Sequence, residues 1–320
     1  MTYGNITDVP GIKVGNRENI NALTGCTSII MEEGAVCGVD VRGSAPGTRE
    51  TDLLDPINAV DTVHAICLTG GSAFGLEAAS GTMAYLEEQN IGLDVGVLKV
   101  PIVPSAVLFD LQIGDKNIRP DKQMGYEAAK QATTGAFPFG NVGAGCGATI
   151  GKLAGPEHCM KGGLGSASMR LSNGLVVGAL VAVNALGDIR DPKTGNLIAG
   201  PLDSRTGKPM DSIGLLEKMA GEMKPGTNTT IGAVAMNATL TKAETKKVAE
   251  VTQNALARTI YPAHTMADGD TIFALASGGG SYSVDVIGNM AANVMEKAIL
   301  NAVKAADTVA DIPSYTSIRA

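Results

Sequence analysis

Apolar positions along the chain come in short runs, separated by polar turns that carry glycine. Thr27–Met31, Ala35–Asp40 and Ala65–Thr69 read as strands, and the polar segment RGSAPGTRETDLL follows the second of them as a loop. The run GLVVGALVAVN, from Gly174 to Asn184, has no polar alternation before its final Asn, which predicts a strand buried on both faces. A further strand begins abruptly at Thr229 (TTIGAVAMNA), and another spans Thr271 to Ala276. Between these runs the spacing becomes helical. Ala73 to Gln89 follows the turn Gly70-Gly71-Ser72, and Asp121 to Thr133 follows Pro120. Thr241 with Glu244 three residues on forms a capping box, after which Val248, Val251, Ala255 and Thr259 share one face. Val284 to Ala306 predicts a long closing helix. Gly135 to Gly151 is too rich in glycine for a helix interior. The stretch from Asp188 to Asn228 is polar and carries one short helical segment, Ser212 to Met223. Strands and helices alternate loosely, without a fixed repeat or a low-complexity linker. The pattern predicts an α/β protein of one domain, layered from sheets and helices.

Composition narrows this further. The 320 residues are 44 % hydrophobic and 18 % charged, enough apolar material for a large core, so global disorder is excluded. Trp is absent and aromatics are 3 %, so Ala, Val, Ile, Leu and Met must fill that core, with 41 Gly allowing close backbone approach. A net charge of −7 argues against nucleic acid as a partner. The five cysteines (Cys26, Cys37, Cys67, Cys146, Cys159) are odd in number and form no Cys-x-x-Cys pair, which predicts reduced thiols, most of them buried, and a cytoplasmic location. The N-terminal segment has no basic and then apolar pattern of a signal peptide, and no apolar run approaches the length of a membrane span.

Several glycine-rich segments mimic cofactor motifs and fail on spacing. In GAGCGATIGK, Cys146 stands where a phosphate-binding loop needs its first Gly, and Leu153 follows Lys152 in place of Ser or Thr. Gly143-x-Gly145-x-x-Ala148 lacks the strand and helix of a dinucleotide fingerprint. GGSAFG around Ser72 has Phe74 where a nucleophile elbow needs Gly. His64, His158 and His264 are far apart and share no metal-binding spacing, so neither a metal nor an organic cofactor is expected.

The junction Asn228-Thr229 is chemically more informative. A Thr hydroxyl is a poor nucleophile unless a base lies beside it. Cutting the chain before Thr supplies one, because the freed α-amine has a reference pKa of about 7.7–8.0. Here a polar loop ends directly at a strand that starts with Thr. Many ordinary strands also begin with Thr after an Asn turn, so the junction alone leaves both readings open.

Seven segments occur in order: TDVPGIKVG, DVRGSAPGTRETDLLDP, LTGGSAFGLEAASG, VPIVPSAVLFDL, MKGGLGSAS, NTTIGAVAMNA and DGDT. Together they resemble the P1-type self-processing peptidases, the L-aminopeptidase/D-esterase group that includes β-aminopeptidases and 6-aminohexanoate-oligomer (nylon) hydrolases. The resemblance runs from about Thr7 to Gly280. It implies an α-β-β-α sandwich of the N-terminal-nucleophile type, one unit of residues 1–320 split by autocleavage into 1–228 and 229–320. It implies a homotetramer of such units, with a small peptide-like or oligoamide substrate. Thr229 matches the nucleophile, Asn228 the residue before the cut, Asn184 an oxyanion-holding Asn, and Lys152 an active-site Lys. Asp268 and Asp270 match a pair beside the nucleophile that is Asp-x-Asp in the nylon-hydrolase branch and Ser-x-Glu among aminopeptidases. Phe109 departs from the Tyr that some members place nearby. The resemblance therefore implies an amide hydrolase. A β-aminopeptidase/D-esterase activity, acyl transfer of the ornithine acetyltransferase kind and a non-enzymatic binding protein are the competing readings. An added amine acting as acyl acceptor, or a chain that stays whole, distinguishes the last two.

Overall fold

A computed structural model describes residues 3–218 and 228–319. Its principal strands are β1 (Ile12–Asn19), β2 (Thr24–Val41), β3 (Thr62–Thr69), β4 (Ser105–Val107), β5 (Gly163–Arg170), β6 (Val176–Asn184), β7 (Thr229–Ala238) and β8 (Thr271–Gly280). Its principal helices are α1 (Ala78–Glu88), α2 (Lys122–Lys130), α3 (Lys242–Thr259) and α4 (Val284–Lys304). The strands join in the order β5-β6-β7-β8-β2-β3-β4, with the short strand Thr48–Arg49 beyond β4 and β1 paired to the first half of β2. β7 and β8 run parallel, while β6 lies antiparallel to β7.

The period-two alternation of side chains sorts these strands into layers. On one face Val177, Ala179, Val181 and Val183 of β6, Val234 and Met236 of β7, and Ile272 and Ala274 of β8 pack under α3 and α4. The opposite faces carry Leu180, Ala182, Ile231, Ala233, Phe273 and Leu275, which meet Ile29, Met31, Ile66 and Leu68 of β2 and β3. The other face of β2 and β3, with Cys26, Ile30, Ala65 and Cys67, packs on Ala78, Ala79 and Leu86 of α1 and Ala128 and Ala129 of α2. Three cores between four layers make an α-β-β-α sandwich. β2 is shared by both sheet layers. Its register with β3 shifts between Ile30 and Ala35, where Gly34 takes a left-handed φ of 80°.

The apolar runs read as two strands, Thr27–Met31 and Ala35–Asp40, are thus one 18-residue strand. The capping box forms as expected, with the Thr241 side chain accepting from the Glu244 N–H and Glu244 reaching back. The segment expected as a helix over Ser212 to Met223 is shorter: helix spans Ser212–Leu216, and 219–223 lie outside the described residues. β5 and β1 carry no strand-like apolar run. A Cβ on Gly163 or Gly165 would collide with the backbone of α4 at Ala298 and Ala302, so these glycines let that helix lie directly on β5. All five cysteines are buried and none is in a disulfide.

Candidate active site

One end of the sheet gathers the residues singled out in the sequence. Thr229 is the first residue of β7, and β6 runs past it so that Asn184, its last residue, sits directly opposite. β8 runs parallel to β7, so the segment leading into it, Asp268-Gly269-Asp270, arrives at the same end, and Asn228 pairs with Asp268 in a single parallel bridge. Asn184, Asn228, Thr229, Asp268 and Asp270 are each 3 % exposed or less. Polar groups so buried need partners.

Each carboxylate has its own set of donors. Asp270 accepts from the Thr230 N–H at 2.7 Å through Oδ1. Its Oδ2 meets the His264 N–H at 3.0 Å and the His264 Nδ1 at 2.9 Å. Asp268 accepts from the N–H and the hydroxyl of Thr265, at 2.8 and 2.6 Å. Burial, reinforced by the neighbouring Asp270 charge, pushes the Asp268 carboxyl up to about 6. The turn carrying both is clamped by the loop after β2. Arg42 and Gly43 donate backbone N–H groups to the Asp270 carbonyl, and Ala45 donates to the Asp268 carbonyl.

Lys152 follows Gly151, whose left-handed φ of 71° turns the chain toward β6. Its ammonium donates to the Asn184 Oδ1 at 2.8 Å and to the carbonyls of Asn184 and Thr149 at 3.0 and 3.1 Å. The residue as a whole is half-buried, but this nitrogen is ringed by protein oxygens. Desolvation brings it down to about 7, against the opposing pull of Cys159 and Asp268. Asn184 also accepts from the Thr149 N–H at 2.9 Å and gives its Nδ2 to the Phe109 carbonyl at 3.0 Å. Phe109 therefore faces Asn184 with its backbone, where a Tyr hydroxyl was the sequence comparison.

The supports of Asn184 are themselves held by buried charges. Asp110 accepts from the Gly71 N–H and the Thr24 hydroxyl, both at 2.7 Å, fixing the turn next to Phe109. The fully buried Lys161 donates to the carbonyls of Cys146 and Ala148 at 3.0 and 2.6 Å, just before Thr149, and burial lowers it to about 8.

Thr229, Asn228, Asn184, Lys152, Asp268 and Asp270 are thus brought to one place. Two of their neighbours, His264 and Gly269, were not singled out by sequence reasoning. His264 carried no motif spacing, and its contact with Asp270 depends on a tight turn in which His264 itself has φ of 58°. Gly269 lay in view inside DGDT, but a glycine's backbone N–H gives no sequence signal. The arrangement gathers a hydroxyl, amide N–H groups, and a carboxyl and an ammonium that burial shifts toward neutrality, groups of the kind acyl-transfer chemistry uses.

The family profile of peptidase family S58 matches residues 4–316. The chain is 42 % identical to an uncharacterized aminopeptidase of Mycobacterium leprae, over 97 % of this chain and 92 % of that protein. It is 33 % identical to the 6-aminohexanoate-oligomer endohydrolase of Kocuria sp. strain KY2, over 93 % and 85 %. Its fold is similar to that of the L-aminopeptidase D-Ala-esterase/amidase of Ochrobactrum anthropi, described as a variant of the Ntn hydrolase fold. The TM-score is 0.72 at 18 % identity, covering 95 % of this chain and 86 % of the other.

Proposed function

The chain belongs to peptidase family S58, and on that premise we propose that it is a self-processing amide hydrolase whose nucleophile is Thr229, freed by cleavage after Asn228. The observation that carries this reading is the position of the Thr229 hydroxyl. At the start of β7 it touches the Asn228 carbonyl oxygen, within the buried cluster of Asn184, Lys152, Asp268 and Asp270.

In the first stage, Thr229 Oγ replaces the Thr229 nitrogen on the Asn228 carbonyl, and water releases the ester. In turnover, the same hydroxyl attacks a substrate amide while the new α-amine takes its proton. Asn184 has one N–H committed to Phe109; the other is the donor we assign to the substrate oxyanion. Lys152, near 7, holds the Asn184 oxygen and so orients that amide. Asp268, near 6, accepts and returns protons, while Asp270, fastened to Thr230, positions the start of β7. No step draws on a metal or an organic cofactor.

The substrate class we propose is a small peptide-like or oligoamide compound, by analogy with the names its relatives carry. Assembly into a homotetramer rests on the motif resemblance alone. Among the described residues no helix is long and apolar enough to cross a membrane.

Intact-mass measurement of the purified protein tests the central claim. Two polypeptides, 1–228 and 229–320, are expected, with Thr229→Ala leaving one chain of 320 residues. A new N-terminus at any residue other than Thr229 removes it from the nucleophile's role.

A further inference from the structure

The carbonyl that self-cleavage would attack already has a backbone donor aimed at it. Gly269, between the two carboxylates, gives its N–H to the Asn228 oxygen at 3.1 Å, and the Thr229 hydroxyl touches the same oxygen. The donor is rigidly mounted. Asn228 returns its own N–H to the Ala267 carbonyl at 3.3 Å, and Ala45 and Gly43 bind the carbonyls on either side of Gly269. The absence of a side chain at 269 matters as well. A Cβ there would stand 3.0 Å from Thr229 Oγ1, 2.8 Å from the Ala45 oxygen and 3.2 Å from Pro46 Cα. These contacts would trap the hydroxyl just where it must move from the carbonyl oxygen to the carbonyl carbon.

Resting on the self-processing reading above, we propose that the Gly269 N–H is the oxyanion donor for cleavage at Asn228–Thr229, and that position 269 is glycine to leave Thr229 Oγ room to attack. Thr229 Oγ bonds to the Asn228 carbonyl carbon as its proton passes to water. The carbonyl π pair moves onto oxygen, and the Gly269 N–H, already in line, holds the negative charge; a donor to an anion binds far more strongly than to a neutral carbonyl. The oxyanion collapses, the C–N bond breaks with its electron pair left on nitrogen, and water returns the proton there. The products are an ester between Asn228 and Thr229 Oγ and a free α-amine. Water then splits the ester into the Asn228 carboxylate and the restored hydroxyl. Asn184, on the opposite strand, is reserved in this scheme for the substrate's oxyanion, so processing and turnover use different donors.

Replacing Gly269 with glycolic acid by nonsense suppression puts an ester oxygen in place of the N–H and adds no side chain. The time course of fragments 1–228 and 229–320, followed by mass, should slow by about 10²–10³-fold, the usual effect of losing one oxyanion donor. Its unfolding should stay as cooperative as that of the unaltered chain. Cleavage as fast as in the unaltered chain overturns the proposal while leaving self-processing intact. An unaltered chain that never splits after Asn228 overturns both. A second measurement needs no backbone change. In the uncleavable Thr229→Ala chain the Gly269 amide should be protected from hydrogen exchange. Exchange at the rate of an open amide would show that the Asn228 carbonyl has no such donor, and would end the proposal.

Discussion

At the residue scale, the two carboxylates two positions apart are not equivalent. Asp268 is raised to about 6 by burial and by its neighbour, whereas Asp270 is fastened to Thr230 and His264. In protein already cleaved, Asp268→Ala should lower turnover on the scale of a lost general base, roughly 10²–10⁴-fold, and displace the acidic limb of the pH–rate profile. Wild-type rate and pH dependence in that variant would reduce Asp268 to a turn residue. Stability should follow the same groups with opposite signs. Between about 3.8 and 6 the folded Asp268 binds more protons than the unfolded one, so its contribution is present at low pH and lost as pH rises through 6. Lys152 behaves in reverse: from about 7 to 10.5 the unfolded chain holds the extra proton, so stability rises with pH across that window. Thermal unfolding of the Thr229→Ala chain against pH should show both slopes, and Asp268→Asn should flatten the first. Of these residues the loop-to-strand junction drew attention to Thr229, while Asn184, Lys152 and the Asp pair were marked by the motif resemblance. His264 and Gly269 were not, because one acts through a turn and the other through its backbone.

Elements differ in how far their identity was written locally. Helix α3 announces itself with its capping box and one apolar face, and Thr241→Ala should lower stability by about 1 kcal/mol. Urea denaturation is the measurement, and an unchanged midpoint would mean the box is redundant. β5 shows no such local signal. Its sequence GLGSASMR has the glycines and serines of a loop, yet it becomes a strand because α4 needs a surface without side chains on which to lie. Gly165→Val should therefore destabilise by about 1–3 kcal/mol or more through overpacking against Ala298 and Ala302. A variant as stable as the parent would show that α4 can retreat at little cost.

At the scale of the whole molecule, the sandwich explains why a cut after Asn228 can leave one folded body. β7 begins where the proposed cut falls and is hydrogen-bonded between β6, which would belong to the first piece, and β8, which would belong to its own, with apolar residues buried on both faces. The two fragments should accordingly co-elute under native conditions and separate only in denaturant; separation without denaturant would contradict this packing. Light scattering should report four such units together, and a single 32.6 kDa particle at working concentration would refute that assembly. Locally encoded features were legible from the chain alone: apolar runs that must be buried, helix caps, glycines at turns, and a Thr placed at the start of a strand after an Asn. Such features depend on neighbours a few residues away, where backbone sterics and side-chain period act directly. Only the tertiary structure decided the register that sets Asn184 against Thr229, the fusion of two runs into one shared strand, and the approach of Gly269 to the Asn228 carbonyl. The first and last of these join segments about forty residues or more apart in the chain, and all three follow from how three cores close together, which no local pattern of residues specifies.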